Sequence, residues 1–141
     1  MRGHTLVELL FVLFLTGVTA ASIAPAARRQ RDRASVVGAR EAVVGLLAEA
    51  RLAAIESGSA RVRITASPAT AEALERGGSL RTTALAAEFG VTVSLSGAAS
   101  QADLDYDELG LGKMASQTIV FRRGREATEL VVSAYGRVRR R

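Results

Sequence analysis

The chain has no cysteine and no tryptophan, one histidine, His4, and one lysine, Lys113. Without cysteine there is neither a disulfide nor a thiolate metal site, so any domain must be held by its core alone. A single histidine excludes a histidine-based catalytic triad and a multi-histidine zinc site. No catalytic residue, cofactor or metal is therefore assigned, and the chain is not expected to be an enzyme. Aromatic residues make up 4%, which leaves no stacking platform for single-stranded bases beyond Tyr135. The formal charge of +5 is carried almost wholly by arginine. Such a bias can reflect codon usage alone, so the distribution of the arginines is more informative than their number.

What is present begins at the first residues. Met1-Arg2-Gly3-His4-Thr5-Leu6-Val7-Glu8-Leu9-Leu10 opens an apolar run that continues to Ala27, with Glu8 as its one carboxylate. An ionisable side chain inside a membrane segment costs about 2.5–3.5 kcal/mol on insertion scales, so it persists where it has a partner. An ordinary secretory signal has an apolar core of about 7–15 residues and a small-residue cleavage site. Thr19-Ala20-Ala21 offers such a site, but the run is longer than that core and Glu8 interrupts it near its start. A plain single-span anchor matches the length needed for about 30 Å of hydrocarbon, yet leaves Gly3 and Glu8 unexplained.

This terminus resembles that of type IV prepilins and type II secretion pseudopilins, in which a short basic leader and a glycine precede an apolar helix with a glutamate at its fifth position. Gly17 and Pro25 also fall where pilin helices commonly carry a glycine and a proline. The resemblance implies cleavage by a prepilin peptidase between Gly3 and His4 and N-methylation of His4, although the family usually has phenylalanine there. It implies that Glu8 pairs with the amino terminus of a neighbouring subunit and sets the register of filament assembly. It further implies a single-pass inner-membrane protein with its C-terminal domain in the periplasm. The cluster Arg28-Arg29-Gln30-Arg31-Asp32-Arg33 follows the apolar run. By the positive-inside rule it would favour the cytoplasmic side, a preference that long translocated domains largely override.

Beyond the cluster, Val36, Ala39, Val43, Leu46, Leu47, Ala50 and Ala54 recur at helical spacing, with Glu41, Glu49, Arg51 and Glu56 mainly off that stripe. Gly58 supplies the stop. The spacing predicts one helix over 5–57, roughly 80 Å long at 1.5 Å per residue. Arg61-Val62-Arg63-Ile64-Thr65-Ala66 and Phe89-Gly90-Val91-Thr92-Val93-Ser94-Leu95 alternate as strands do. Residues 118–122 and 128–134 flank Arg123-Gly124-Arg125 as a hairpin. The alanine-rich stretch 68–75 reads as a short helix and 96–100 as a turn. A helix on an antiparallel sheet buries both patterns, giving an α+β fold, and the resemblance of the terminus implies that it is pilin-like. The expected divisions are a leader (1–3), an apolar transmembrane helix (4–27), its amphipathic continuation (28–58), a sheet domain (59–135) and a basic tail (136–141).

The C-terminal third, with Gly110-Leu111-Gly112, Ile119-Val120-Phe121, a glycine hairpin and a closing Tyr135-Gly136-Arg137-Val138-Arg139, looks like the GspH/FimT group of minor pilins. GspH-type members imply a structural subunit of a type II secretion pseudopilus. FimT-like members imply DNA binding during natural transformation through a tail carrying glycine-arginine-any-arginine. Here that tail is Arg137, Arg139, Arg140 and Arg141 in a mobile segment, with Arg122, Arg123 and Arg125 widening the patch. Guanidiniums in this number give salt-dependent phosphate contacts with little sequence preference. The expected partners are other pilins or pseudopilins, the prepilin peptidase, the inner membrane and, in the second role, DNA. Asp103-Leu104-Asp105-Tyr106-Asp107 lacks the glycine and the final glutamate of a calcium loop and reads as a solvated acidic loop. Gly112-Lys113 lacks the rest of a phosphate loop.

Overall fold

The computed structural model describes residues 5–141, with the side chains at 20–24 outside the described set. The chain forms two compact units, one up to Arg31 and one from Asp32 onward, and a helix, α1 (Leu6–Ser57), contributes to both. Pro25 lies inside that helix rather than ending it. At its head, the Glu8 amide donates to the Thr5 carbonyl at 3.0 Å, so Thr5 closes the first turn. In the second unit, the residues of α1 present one apolar face. Val36, Ala39, Val43, Leu46, Leu47, Ala50 and Ala54 are all buried, as a stripe of 3.6-residue period requires. Gly58, at a φ of 90°, ends the helix and donates its N–H to the Ala54 carbonyl at 2.8 Å.

The remainder is antiparallel sheet, built as two sheets where the sequence suggested one. The strands are β1 (Ser59–Thr65), β2 (Thr70–Glu75), β3 (Gly78–Thr83), β4 (Thr92–Leu95), β5 (Gln101–Asp107), β6 (Gln117–Arg123), β7 (Glu126–Val132) and β8 (Val138–Arg140), with a short helix α2 (Leu85–Phe89) between β3 and β4. The first sheet runs β3-β2-β1-β5 and the second β4-β6-β7-β8. Alternation turns Val62, Ile64 and Leu104 inward from the first sheet and Val93, Ile119, Phe121, Leu130 and Val132 from the second. All join the α1 stripe in one apolar cluster.

Three expectations are corrected. The alanine-rich 68–75 stretch is not a helix: its last six residues are β2. Alanine favours helix locally, but an isolated helix this short is not stable in water. Hydrogen bonding to β1 on one side and β3 on the other wins instead, and Ala71 and Ala73 face the core. The strand expected from Phe89 begins at Thr92, because Phe89 closes α2 and Gly90 caps it in the left-handed conformation. The acidic loop is β5. Its register sets Asp105 opposite Arg61 and Asp103 opposite Arg63, and both carboxylates form ion pairs, that of Asp103 with Arg63 at 3.0 Å. Opposite charges facing across a ladder stabilise it modestly. Partial burial opposes ionisation of Asp103, but the Arg63 hydrogen bond and charge outweigh it and hold the carboxyl below its usual range.

The two sheets meet where the β5–β6 connection crosses the β7–β8 turn. Tyr106, on β5, makes an isolated bridge with Gly112. A Cβ on Gly112 would lie 2.5 Å from the Gly136 nitrogen, and one on Gly136 would lie 2.7 Å from the Tyr106 ring. Gly136 also holds a φ of 79°. These two glycines are therefore packing requirements. Gly136→Ala is expected to lower stability by about 2–5 kcal/mol, combining overpacking with a left-handed backbone. Gly97→Ala, at a φ of 73° but with open space around it, should cost only the backbone part, about 1–2 kcal/mol. Denaturant unfolding midpoints of the two variants check this, the excess at Gly136 measuring the crossing.

Candidate functional site

Two sets of residues were singled out by the sequence: the head of the apolar helix and the C-terminal arginines. Gly3 and His4 lie outside the described residues. Glu8 stands in the first turn of α1, among Leu6, Val7, Leu9, Leu10 and Phe11, all exposed. Thr16 and Thr19 direct their hydroxyls back onto the helix, donating to the Val12 carbonyl at 2.8 Å and the Leu15 carbonyl at 3.1 Å. Their polarity is thus absorbed internally. Among the described residues no helix is long and apolar enough to cross a membrane; the side chains at 20–24, toward the end of the run, lie outside that set.

The basic tail is a paired strand rather than a loose end. Val138–Arg140 forms β8, pairing with β7 so that Val138 faces Val132, Arg139 faces Val131 and Arg140 faces Leu130. Arg141 continues the ladder, exchanging backbone hydrogen bonds of 3.0 Å with Glu129 in both directions. Side chains alternate along a strand, and this divides the arginines. Arg140 shares the face of buried Leu130 and reaches α1, where its guanidinium binds Glu41 at 3.1 Å. Beside it, Arg40 donates to the Thr128 hydroxyl at 2.9 Å, and that hydroxyl donates to the Arg141 carbonyl at 2.8 Å. The chain end is pinned to the helix through this relay. Hydrogen bonding from Arg140 holds the Glu41 carboxyl below its usual range.

Arg139 and Arg141 fall on the opposite, solvent-facing side of the sheet. Arg122 is there too, standing between Thr92 on β4 and Ala127 on β7, and Arg137 continues the same parity into the turn. Among the described residues, the side chains of Arg122, Arg125, Arg137, Arg139 and Arg141 carry no ion pair or hydrogen bond. Arg125 sits in the β6–β7 turn, away from this row. Arg123 is taken out of the patch: it binds Asp32 at 3.0 Å, the Ser35 hydroxyl at 2.8 Å and the Phe89 carbonyl. The structure thus brings together Arg122, Arg137, Arg139 and Arg141, and commits Arg123 and Arg140 to holding α1. Sequence reasoning missed Glu41, Arg40, Thr128 and Asp32 as the partners that make this division. No local signal could have supplied them, since Glu41 and Arg140 are 99 residues apart.

No protein-family model matches the chain, and no curated protein matches it. Among solved structures, the chain is similar to the type IV minor pilin FimU of Pseudomonas aeruginosa in two crystal forms. One, in space group P21, is 17% identical with a TM-score of 0.59, the match covering 77% of this chain and 90% of that one. The other, in space group P65, is 16% identical with a TM-score of 0.55, covering 74% and 90%. The fold is accordingly α+β and pilin-like, a long N-terminal helix packed on antiparallel sheets.

The anchoring of the tail is measurable. Glu41→Gln removes the ion pairs with Arg140 and with the neighbouring Arg40; the Arg140 pair, which holds the tail, is worth up to about 1 kcal/mol, so hydrogen exchange at the Arg141 amide should quicken by up to about fivefold, while exchange at the Ile64 amide stays unchanged. Stability also depends on pH with a definite sign. The carboxyl of Asp107 accepts from the Leu111 and Leu109 amides at 2.8 and 3.0 Å, the Leu111 bond being the larger cause of its lowered pKa. Asp103 and Glu41 are lowered as well. Their stabilisation is complete above the unfolded carboxylate range, about pH 4, and is lost as pH falls through the folded values. Asp107→Asn should flatten this acid limb in unfolding measured from pH 7 to pH 2.

Proposed function

We propose that the chain is a minor pilin-like structural subunit of a type II secretion pseudopilus. A prepilin peptidase cuts it after Gly3 and methylates His4. The helix head holds it as a single-pass protein in the inner membrane, with the sheet domain in the periplasm, until it joins a filament of other pilins or pseudopilins. Glu8 pairs with the amino terminus of a neighbour and sets the register. The observation that carries this reading is a pilin-like fold whose α1 begins with a carboxylate among apolar side chains exposed on every side of the helix. A helix apolar all round needs an apolar environment, supplied by lipid or by packed neighbours. The reading has no catalytic step.

One observation favours a second role, DNA binding during natural transformation in the manner of FimT-like minor pilins. Arg122, Arg137, Arg139 and Arg141 lie on one sheet face with their guanidiniums uncommitted, a rigid comb for phosphates rather than a mobile tail. Glu129, opposite Arg141, lowers the local charge without cancelling it.

The two roles are tested separately. Glu8→Ala should leave the full chain in the membrane fraction while its recovery in sheared filaments falls by about tenfold or more, the scale of a lost close charge pair. Recovery equal to wild type would end the assembly reading. For the second role, duplex DNA is titrated with the full chain in detergent micelles across a salt series. The expected slope of log affinity on log salt lies between about −2 and −4, for two to four phosphates neutralised. Arg139→Ala and Arg141→Ala should each reduce it by about 1, and Arg76→Ala, on the β2–β3 turn, should leave it unchanged.

A further inference from the structure

Among the described residues of the second unit, Tyr135 is the one strongly exposed aromatic ring, at 77%; Tyr106 and Phe121 are buried and Phe89 is partly so. A phenol ring left in water forgoes the burial that aromatic side chains ordinarily gain, so what holds it out is informative. The β7–β8 turn does so. The Ser133 N–H donates to the Arg137 carbonyl at 2.9 Å, the Gly136 N–H to the Ser133 carbonyl at 2.9 Å and the Arg137 N–H to the Ser133 hydroxyl at 3.1 Å. Gly136, packed against the Tyr106 ring, fixes the turn on the domain. Tyr135 is therefore presented by a tied turn and not by a loose loop.

Beside the ring is a recess of about 560 Å³ lined by Ser133, Tyr135, Arg137 and Arg139. Register explains why these four meet. Ser133 lies opposite Arg137, one ladder step beyond Val132 and Val138, and Arg139 follows two residues later on the same outer face, about 7 Å along the strand. No carboxylate lines the recess, and Glu129 lies opposite Arg141, at the other end of β8. Among the described residues, neither guanidinium nor the Tyr135 hydroxyl carries an ion pair or hydrogen bond. An exposed ring beside two free cations matches the way single strands are held, with bases stacked on aromatic rings while basic groups follow the backbone. Arginines alone take phosphates from duplex and single strand alike. A ring adds affinity only for a base free of its pair and its stack, which a duplex releases at a cost.

We propose that this recess seats one unpaired base of a DNA strand, stacked on the Tyr135 ring, with the phosphates on either side of it held by Arg137 and Arg139. The seat rests on the DNA-binding role of the arginine face and adds the form of DNA it takes, a single strand. The test uses the full chain in detergent micelles at one low salt concentration, titrated with oligothymidylate, which has no internal pairing, and separately with a duplex of equal length. Tyr135→Ala is expected to weaken oligothymidylate binding by about fivefold or more, the lower end of base–aromatic stacking, and to leave duplex binding unchanged. Tyr135→Phe keeps the ring and should bind oligothymidylate as the wild type does. The chain has no tryptophan and its other tyrosine, Tyr106, is buried, so oligothymidylate should quench the tyrosine emission of the wild type but not that of Tyr135→Phe. The ring stands outside the core, so both variants should keep the wild-type unfolding midpoint, which separates lost stacking from misfolding. If duplex binding persists while Tyr135→Ala leaves oligothymidylate binding unchanged, or weakens both forms equally, the seat is overturned and the arginine face stands. If neither form binds, the DNA reading fails and the seat with it.

Discussion

Burial of one face of α1 is the constraint on which the second unit depends. Two four-stranded sheets each carry an apolar side, and neither can bury it alone. The stripe from Val36 to Ala54 serves both, so helix and sheets share one cluster in which Leu46, Ile64, Leu104, Ile119, Phe121 and Leu130 are all fully enclosed. Small residues matter as much as large ones here. Gly38 leaves room for the Phe89 ring, whose Cε1 would lie 3.0 Å from an added Cβ, and alanines at 39, 50 and 54 let the helix lie close to its neighbours. In a chain without disulfides this packing, with the Gly112–Gly136 crossing that locks the sheets together, is what resists unfolding.

A rim of polar contacts then fixes where the helix sits. Asp32 binds Arg123, Arg40 binds Thr128, Glu41 binds Arg140 and Glu49 binds Arg81 at 2.7 Å. The three ion pairs are half-exposed and individually weak, and the Arg40–Thr128 bond is part-buried. Together they join α1 to β3, β7, β8 and the β6–β7 hairpin, so their effect is positional. They also sort the arginines. On the second sheet, the arginines whose strand parity points toward α1, Arg123 and Arg140, are bound by helix carboxylates, and those of opposite parity remain available. The chemical character of the outer face of the second sheet is thus a consequence of how the inner face is held.

The two parts of the chain offer different surfaces. The helix head offers apolar surface and one carboxylate, suited to a lipid or filament environment. The domain offers an arginine face and a paired charge ladder on β1 and β5. The likeness to FimU concerns the arrangement of helix and sheets; at 17% identity it carries the fold.

Periodicity made much of this legible. All seven residues of the helix stripe, the Gly58 stop, β1 and the β6–β7 hairpin stand where local pattern puts them, because amphipathic spacing is a property of consecutive residues. The α+β, pilin-like fold was likewise readable from the patterning and from the terminal motif. Where local preference was weak or misleading, tertiary structure decided. The alanines of 68–75 became a strand because β1 and β3 flank them, and Asp103 and Asp105 became ladder residues because Arg61 and Arg63 face them. The division of the sheet into two, the ordering of the tail and the sorting of its arginines all depend on contacts between residues far apart in the chain. Such contacts leave no trace in local spacing, since the partner of each side chain is chosen by the folded backbone. The sequence by itself determined which surfaces are apolar and where the positive charge is placed; only the packing of α1 against both sheets decided which of those charges remain free.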